Sequence, residues 1–191
     1  LFEHDVKVSV NSCQTHLHLG TLLIEDGIKQ ENPERRRKSF ERGLKELQRA
    51  IQIHPHLPLA YCEIGNAYSL IAFNSDSAVY YYNRAIMEGT TEPAAYIGLA
   101  NIYAGQKKNE LASYYYNEAV KANPYYTYGV KLRDDFKKQT GLDVRTFPSE
   151  VNLNSAELND PTKNFSFYYD KGTAYGKSGD YRNAAAYLEK A

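Results

Sequence analysis

Apolar and small residues recur along this chain with the period of a helix, and the whole pattern then recurs with a longer period. Tyr96, Leu99, Ala100 and Tyr103 follow i, i+3, i+4, i+7 spacing, one face of an α-helix. After a turn at Gly105-Gln106-Lys107, Ala112, Tyr115, Tyr116 and Ala119 repeat that spacing. Pro124 closes the unit, because its ring cannot continue a helix. The preceding stretch has the same form. Tyr61, Ile64, Gly65 and Tyr68 match the first face, and Ala78, Tyr81, Tyr82 and Ala85 match the second, across a turn at Phe73–Asp76. Looser copies lie on either side. His16, Leu19, Gly20 and Leu23 with Gly43, Leu47, Ala50 and Pro55 come before, and Tyr168, Gly172 and Tyr175 with Ala184, Tyr187, Leu188 and Ala191 come after.

The string Tyr-Tyr-Tyr-Asn occurs at positions 80–83 and again at 114–117, an offset of 34 residues. Fixed periods of this size mark stacked-repeat architectures, in which a single helical hairpin cannot cover its own apolar face and must stack on neighbours. The small residues have a steric reason. Gly65, Ala100 and Gly172 sit where a first helix should cross its own second helix, with Ala78, Ala112 and Ala184 opposite. Only small side chains let helix axes approach to about 8–10 Å.

This pattern of aromatic–Leu–Gly/Ala–Tyr on the first helix, Ala–aromatic–Ala on the second and a closing Pro resembles the tetratricopeptide repeat family. The expectation is an all-α solenoid of helix-turn-helix repeats, and the resemblance implies a right-handed superhelix whose first helices line a concave groove. Three repeats are expected at 13–57, 58–92 and 93–126, the first carrying an insertion of about 11 residues between Leu23 and Gly43. An extra helix, Tyr128–Thr140 ended by Gly141, and a long loop fill 127–164. That loop is a functional arm or a mobile linker, and its folding back into the groove is a third option. A further repeat block begins within 165–191, departing from the family pattern at Lys171.

Composition narrows the function. Among 191 residues, Lys+Arg and Asp+Glu are both 23, which gives no basis for electrostatic capture of nucleic acid or an anionic membrane. The 18 tyrosines suit thin helical layers in which each side chain is half exposed. The start at Leu1 and the stop at Ala191 inside a helical pattern read as a piece of a longer protein. No apolar run approaches the roughly 18 residues of a membrane span.

Catalytic and metal chemistry find little footing, and no cofactor is expected. His16 and His18 are two apart and point about 200° from each other on a helix, and His54-Pro-His56 lies in a turn with no acidic cluster nearby in sequence. Cys13 and Cys62 form no Cys-x-x-Cys pattern and carry no nucleophile signature. Asp134-Asp135 fall among Lys131, Arg133, Lys137 and Lys138, an ordinary solvated face. Arg35-Arg36-Arg37-Lys38 follows Asn32-Pro33-Glu34, an N-cap, first-turn proline and early acid, so it reads as the exposed start of a lengthened second helix. Asn164-Phe165-Ser166 fits a glycosylation acceptor triplet.

The groove is the remaining candidate. First-helix residues offset from the core stripe should line it: Gln14, Leu17 and Thr21 in the first repeat, Leu59, Cys62, Asn66 and Ser69 in the second, and Ala94, Ile97 and Asn101 in the third. Asn66 and Asn101 share a repeat position, and an amide carries both donor and acceptor, so stacked Asn side chains could grip an extended peptide. Some members of the family hold peptides in this way. Leu17, Cys62 and Ile97 share another position and form either an apolar strip in the groove or a surface buried under the neighbouring helix. The family's clamp for chaperone tails needs Lys and Arg, and none of these positions carries either.

The function expected is a non-enzymatic scaffold that binds a protein or peptide in the groove. A different class is suggested by Leu1–Ser9, Asn11-Ser12 and His18-Leu19-Gly20, about twenty residues similar to the start of the repeat region in transmembrane-and-tetratricopeptide-repeat O-mannosyltransferases. That resemblance implies an extracytoplasmic accessory region of a multi-spanning membrane protein.

Overall fold

A computed structural model of the chain describes residues 12–146 and 148. The expected block at 165–191, the glycosylation triplet and most of the opening stretch lie outside these residues. The described chain forms seven α-helices: α1 Cys13–Lys29, α2 Pro33–Ile53, α3 Pro58–Leu70, α4 Ser75–Met87, α5 Pro93–Gly105, α6 Asn109–Ala122 and α7 Thr127–Thr140. No strand occurs among the described residues.

The helices start and stop where local chemistry dictates. Ser12, Asn32 and Asn74 cap α1, α2 and α4 by accepting bonds from backbone N–H groups of the first turn, which otherwise have no partner. Proline opens α2, α3 and α5, where a missing N–H costs nothing. Gly141 ends α7 with φ +75, in the left-handed region. Phe73 (φ +52) and Lys107 (φ +61) hold the same left-handed turn position 34 residues apart, so the turns repeat as faithfully as the helices.

Helices pair as α1/α2, α3/α4 and α5/α6, and each pair packs on the next through α2/α3, α4/α5 and α6/α7. The first helices also touch directly, α1 on α3 and α3 on α5, which sets them side by side along one face. Two buried clusters result. One joins α1 and α2 to α3 around Ile24, Leu47 and Ile64, and the other joins the second and third pairs around Tyr82, Leu99 and Tyr115. The insertion in the first repeat becomes helix. α1 has 17 residues and α2 has 21, against 13 in each of α3, α4 and α5. This extension is tied across the hairpin by Ser39, whose hydroxyl donates to Asp26 Oδ2 at 2.6 Å, and by Arg36, which donates to the Gln30 carbonyl at 2.7 and 3.0 Å. The rest of the basic run stays on the surface, with Arg37 against Glu41 at 3.1 Å.

The Tyr-Tyr-Tyr-Asn string has a division of labour that repeats. Its second tyrosine stacks on the last aromatic of the first helix: Tyr81 on Tyr68 and Tyr115 on Tyr103, both with ring centroids 5.5 Å apart. The first tyrosine meets the second edge-on, at 5.0 Å for Tyr80 and 5.2 Å for Tyr114. The third passes back beneath its partner helix. Tyr82, 1% exposed, lies against Gly65 of its own pair and Gly98 of the next. A Cβ on Gly65 would come within 2.6 Å of the ring, and one on Gly98 would come within 2.5 Å of ring carbon Cε2. Those two glycines form the slot in which one aromatic ring binds three helices.

Candidate functional site

The buried third tyrosines carry a hydroxyl that must find a partner. Tyr82 Oη donates to Asn66 Oδ1 at 2.8 Å, and Tyr116 Oη donates to Asn101 Oδ1 at 2.6 Å. The two asparagines therefore sit in equivalent settings, each held through its oxygen by the tyrosine of its own pair. Burial is the main cause that pushes both phenols above the ordinary tyrosine range, so they stay protonated donors. An amide whose oxygen is taken turns its two N–H donors elsewhere. Asn66 Nδ2 reaches Glu63 Oε2 at 3.3 Å, and Asn101 is exposed.

The structure divides the expected groove residues into two sets. Gln14, Leu59, Ala94 and Asn101 are exposed, and Thr21, Asn66 and Ser69 are half-buried. Leu17, Cys62 and Ile97 are buried, so they lie in the interior rather than as an apolar strip at the surface. The reason is the same for each: the first helix of the next unit covers it. Leu17 packs in the cluster with Ala60 and Ile64 of α3. Cys62 packs with Ala95 and Leu99 of α5. Ile97 lies beside Gly129 of α7, where an added Cβ would be 3.5 Å from its Cδ1. Burial pushes the Cys62 thiol up to about 12, which leaves it an inert core residue.

One residue beside Asn66 is absent from the expected groove set. Glu63 is the single charged side chain of α3, half-buried, with its carboxyl pushed upward chiefly by burial and further by Glu25. Its isolation in an otherwise uncharged helix was the signal. Its carboxylate accepts from the Asn66 amide, so the exposed part of this helix carries amide and hydroxyl groups, Asn66 and Ser69, beside one acid. The histidines do other work. His16 Nδ1 lies 2.6 Å from Glu46 Oε2, joining α1 to α2. His56 does find an acid, Glu88 at 2.6 Å, which Arg84 also holds at 2.6 Å. These bonds keep the Glu88 carboxyl below its usual range. Among the described residues no group of His, Cys, Asp or Glu is placed to hold a metal ion, and no helix is long and apolar enough to cross a membrane.

Comparison with known proteins agrees with this architecture. The family model for the tetratricopeptide repeat matches residues 93–126 and 165–191. Among solved structures, the chain is similar to YrrB, described as a TPR protein with an unusual peptide-binding site, with 17% identity and a TM-score of 0.56. That alignment covers 99% of this chain and 89% of YrrB. No curated protein matches the sequence, so the resemblance of the opening residues to O-mannosyltransferases finds no support there. Residues 93–126 and 165–191 thus match the tetratricopeptide repeat, and the paired helices form an all-α solenoid of the same fold as YrrB.

Proposed function

We propose that this chain is a non-enzymatic interaction scaffold that takes an extended peptide along the face of its first helices. The observation that carries the reading is the repeated tyrosine–asparagine pair. Asn66 and Asn101 occupy one repeat position, and each is anchored through its oxygen by a buried tyrosine hydroxyl. Anchoring turns the nitrogen end of each amide outward, and in Asn66 one of its two N–H groups is spent on Glu63. Donors at a repeating position suit the carbonyl oxygens of an extended main chain, and a pre-oriented side chain loses less freedom on binding. Gln14, Thr21, Leu59, Ser69 and Ala94 complete the surface with small or uncharged side chains. Leu17, Cys62 and Ile97 take no part in it, being covered. YrrB, which shares the fold, is described as having an unusual peptide-binding site, and the proposal extends peptide binding to this chain.

The test is selection of a random displayed-peptide library on the full chain, followed by calorimetry with the enriched peptides. The double variant Asn66→Ser/Asn101→Ser is expected to lose at least about tenfold in affinity, equivalent to about 1.4 kcal/mol. Its melting temperature should fall by several degrees, because two buried tyrosine hydroxyls lose their acceptors, so affinity is compared at a temperature where circular dichroism shows the variant folded. Unchanged affinity in that variant, or a library with no enriched sequence, overturns the reading.

A further inference from the structure

After α7 the chain reverses at Gly141 and runs back across α6. There both main-chain polar groups of Val144 are held. Its N–H donates to Ser113 Oγ at 2.9 Å, and its carbonyl accepts from Asn117 Nδ2 at 2.9 Å. Ser113 and Asn117 are four residues apart, so they stand one above the other on α6. Asn117 Nδ2 also donates to Asp143 Oδ1 at 3.1 Å. The Asp143 carboxylate is further gripped by Lys137 of α7 at 2.7 Å and by Arg145 at 3.1 Å. Those cationic partners hold its carboxyl well below the usual range.

Two side chains that bind the N–H and C=O of a single residue read main chain and ignore side-chain identity, which is how extended segments are recognised. The repeat one step earlier shows that the motif alone does not produce this. The positions 34 residues before Ser113 and Asn117 are Val79 and Asn83. Val79 has no hydroxyl and is buried in the cluster joining the second and third pairs. Asn83, also buried, donates to the Val79 carbonyl of its own helix at 2.7 Å. A face that the second pair uses for packing has become, in the third, a face that reads main chain.

We propose that α6, with Lys137 of α7, forms a second peptide-reading site apart from Asn66 and Asn101, and that its occupant is the chain's own Leu142–Arg145, a strap that seals the third pair. The site does not depend on whether the first helices bind peptide. Its test uses trypsin on the full chain, with products identified by mass spectrometry. The Arg145 side chain is 78% exposed, yet the main chain beside it is pinned. Cleavage after Arg145 is expected to be slow in the parent and about tenfold faster in Asn117→Leu, the loss expected for about 1.4 kcal/mol of hydrogen bonding. Asp143→Ala lies outside every helix and should accelerate the same cut, which keeps the test decisive if Asn117→Leu fails to fold. A second readout is hydrogen exchange at the Val144 amide, protected in the parent and unprotected in Ser113→Ala. Equal cleavage after Arg145 in parent and Asp143→Ala, or an unprotected Val144 amide in the parent, overturns the proposal.

Discussion

The slot around Tyr82 makes a quantitative prediction for Gly98→Ala. A methyl group there would lie within 2.5 Å of Tyr82 Cε2 and 2.8 Å of its hydroxyl, distances no real contact sustains. The obstacle is a rigid ring, 1% exposed, wedged against Gly65 on its other side and bonded to Asn66. It cannot swing away as the tip of a lysine would. Overpacking of this kind costs about 1–3 kcal/mol, while replacing a mid-helix glycine by alanine returns only about 0.5–1 kcal/mol. The net expectation is a loss centred on about 1 kcal/mol, within roughly 0–2.5, which lowers the urea midpoint by roughly 0.5 M at a slope of about 2 kcal/mol/M. Gly105→Ala serves as the control. It ends the same helix, an added Cβ meets nothing within 4 Å, and it should be neutral or slightly stabilising. The assay is urea unfolding followed by circular dichroism, completed as a double-mutant cycle with Tyr82→Leu. With the ring gone, Gly98→Ala should become harmless, a coupling of about 1 kcal/mol or more. If Gly98→Ala is as benign as Gly105→Ala in the parent, the ring does not join the second and third pairs.

Three further outcomes are expected. Tyr116→Phe and Tyr82→Phe should each cost about 1 kcal/mol in urea unfolding, because each removes a hydrogen bond of 2.6 or 2.8 Å from a buried hydroxyl; an effect below a few tenths would deny that these bonds matter. Iodoacetamide at pH 8 should modify half-buried Cys13 well before Cys62, whose thiol is pushed up to about 12; mass spectrometry showing Cys62 labelled first would contradict its burial. The Asp26 carboxyl is held below its ordinary value chiefly by the Ser39 hydroxyl, so its contribution is present above the usual carboxylate range and is lost as pH falls through the lowered value. Ser39→Ala should therefore narrow the stability gap between pH 7 and pH 3, and a gap identical to the parent's would show that the bond carries no linkage.

The fold was legible because each helix needs only its own stripe to be recognised. Apolar spacing, the Asn32 cap, the prolines that open helices and Gly141 all act within a few residues of themselves. The two halves of the third-tyrosine function were not equally visible. Spacing placed Tyr82 and Tyr116 on the core face, but which atom meets their hydroxyls depends on how two helices cross. The same limit explains Leu17, Cys62 and Ile97. Periodicity fixes a side chain's direction relative to its own partner helix, whereas their burial is decided by the neighbouring unit, whose angle no short-range pattern encodes. The strap is a plainer case. Nothing in the second Tyr-Tyr-Tyr-Asn string distinguishes Asn117 from Asn83, and only the serine at position 113, against valine at 79, marks the difference.

The most direct measurement of the central claim is a nuclear magnetic resonance titration of the full chain with a peptide selected on it, observed at the side-chain NH₂ groups. The account predicts that the Asn66 and Asn101 amide resonances shift together and saturate at one peptide concentration, while that of Asn83, bonded inside its own helix, stays fixed. Saturable binding that leaves both Asn66 and Asn101 unmoved would contradict it.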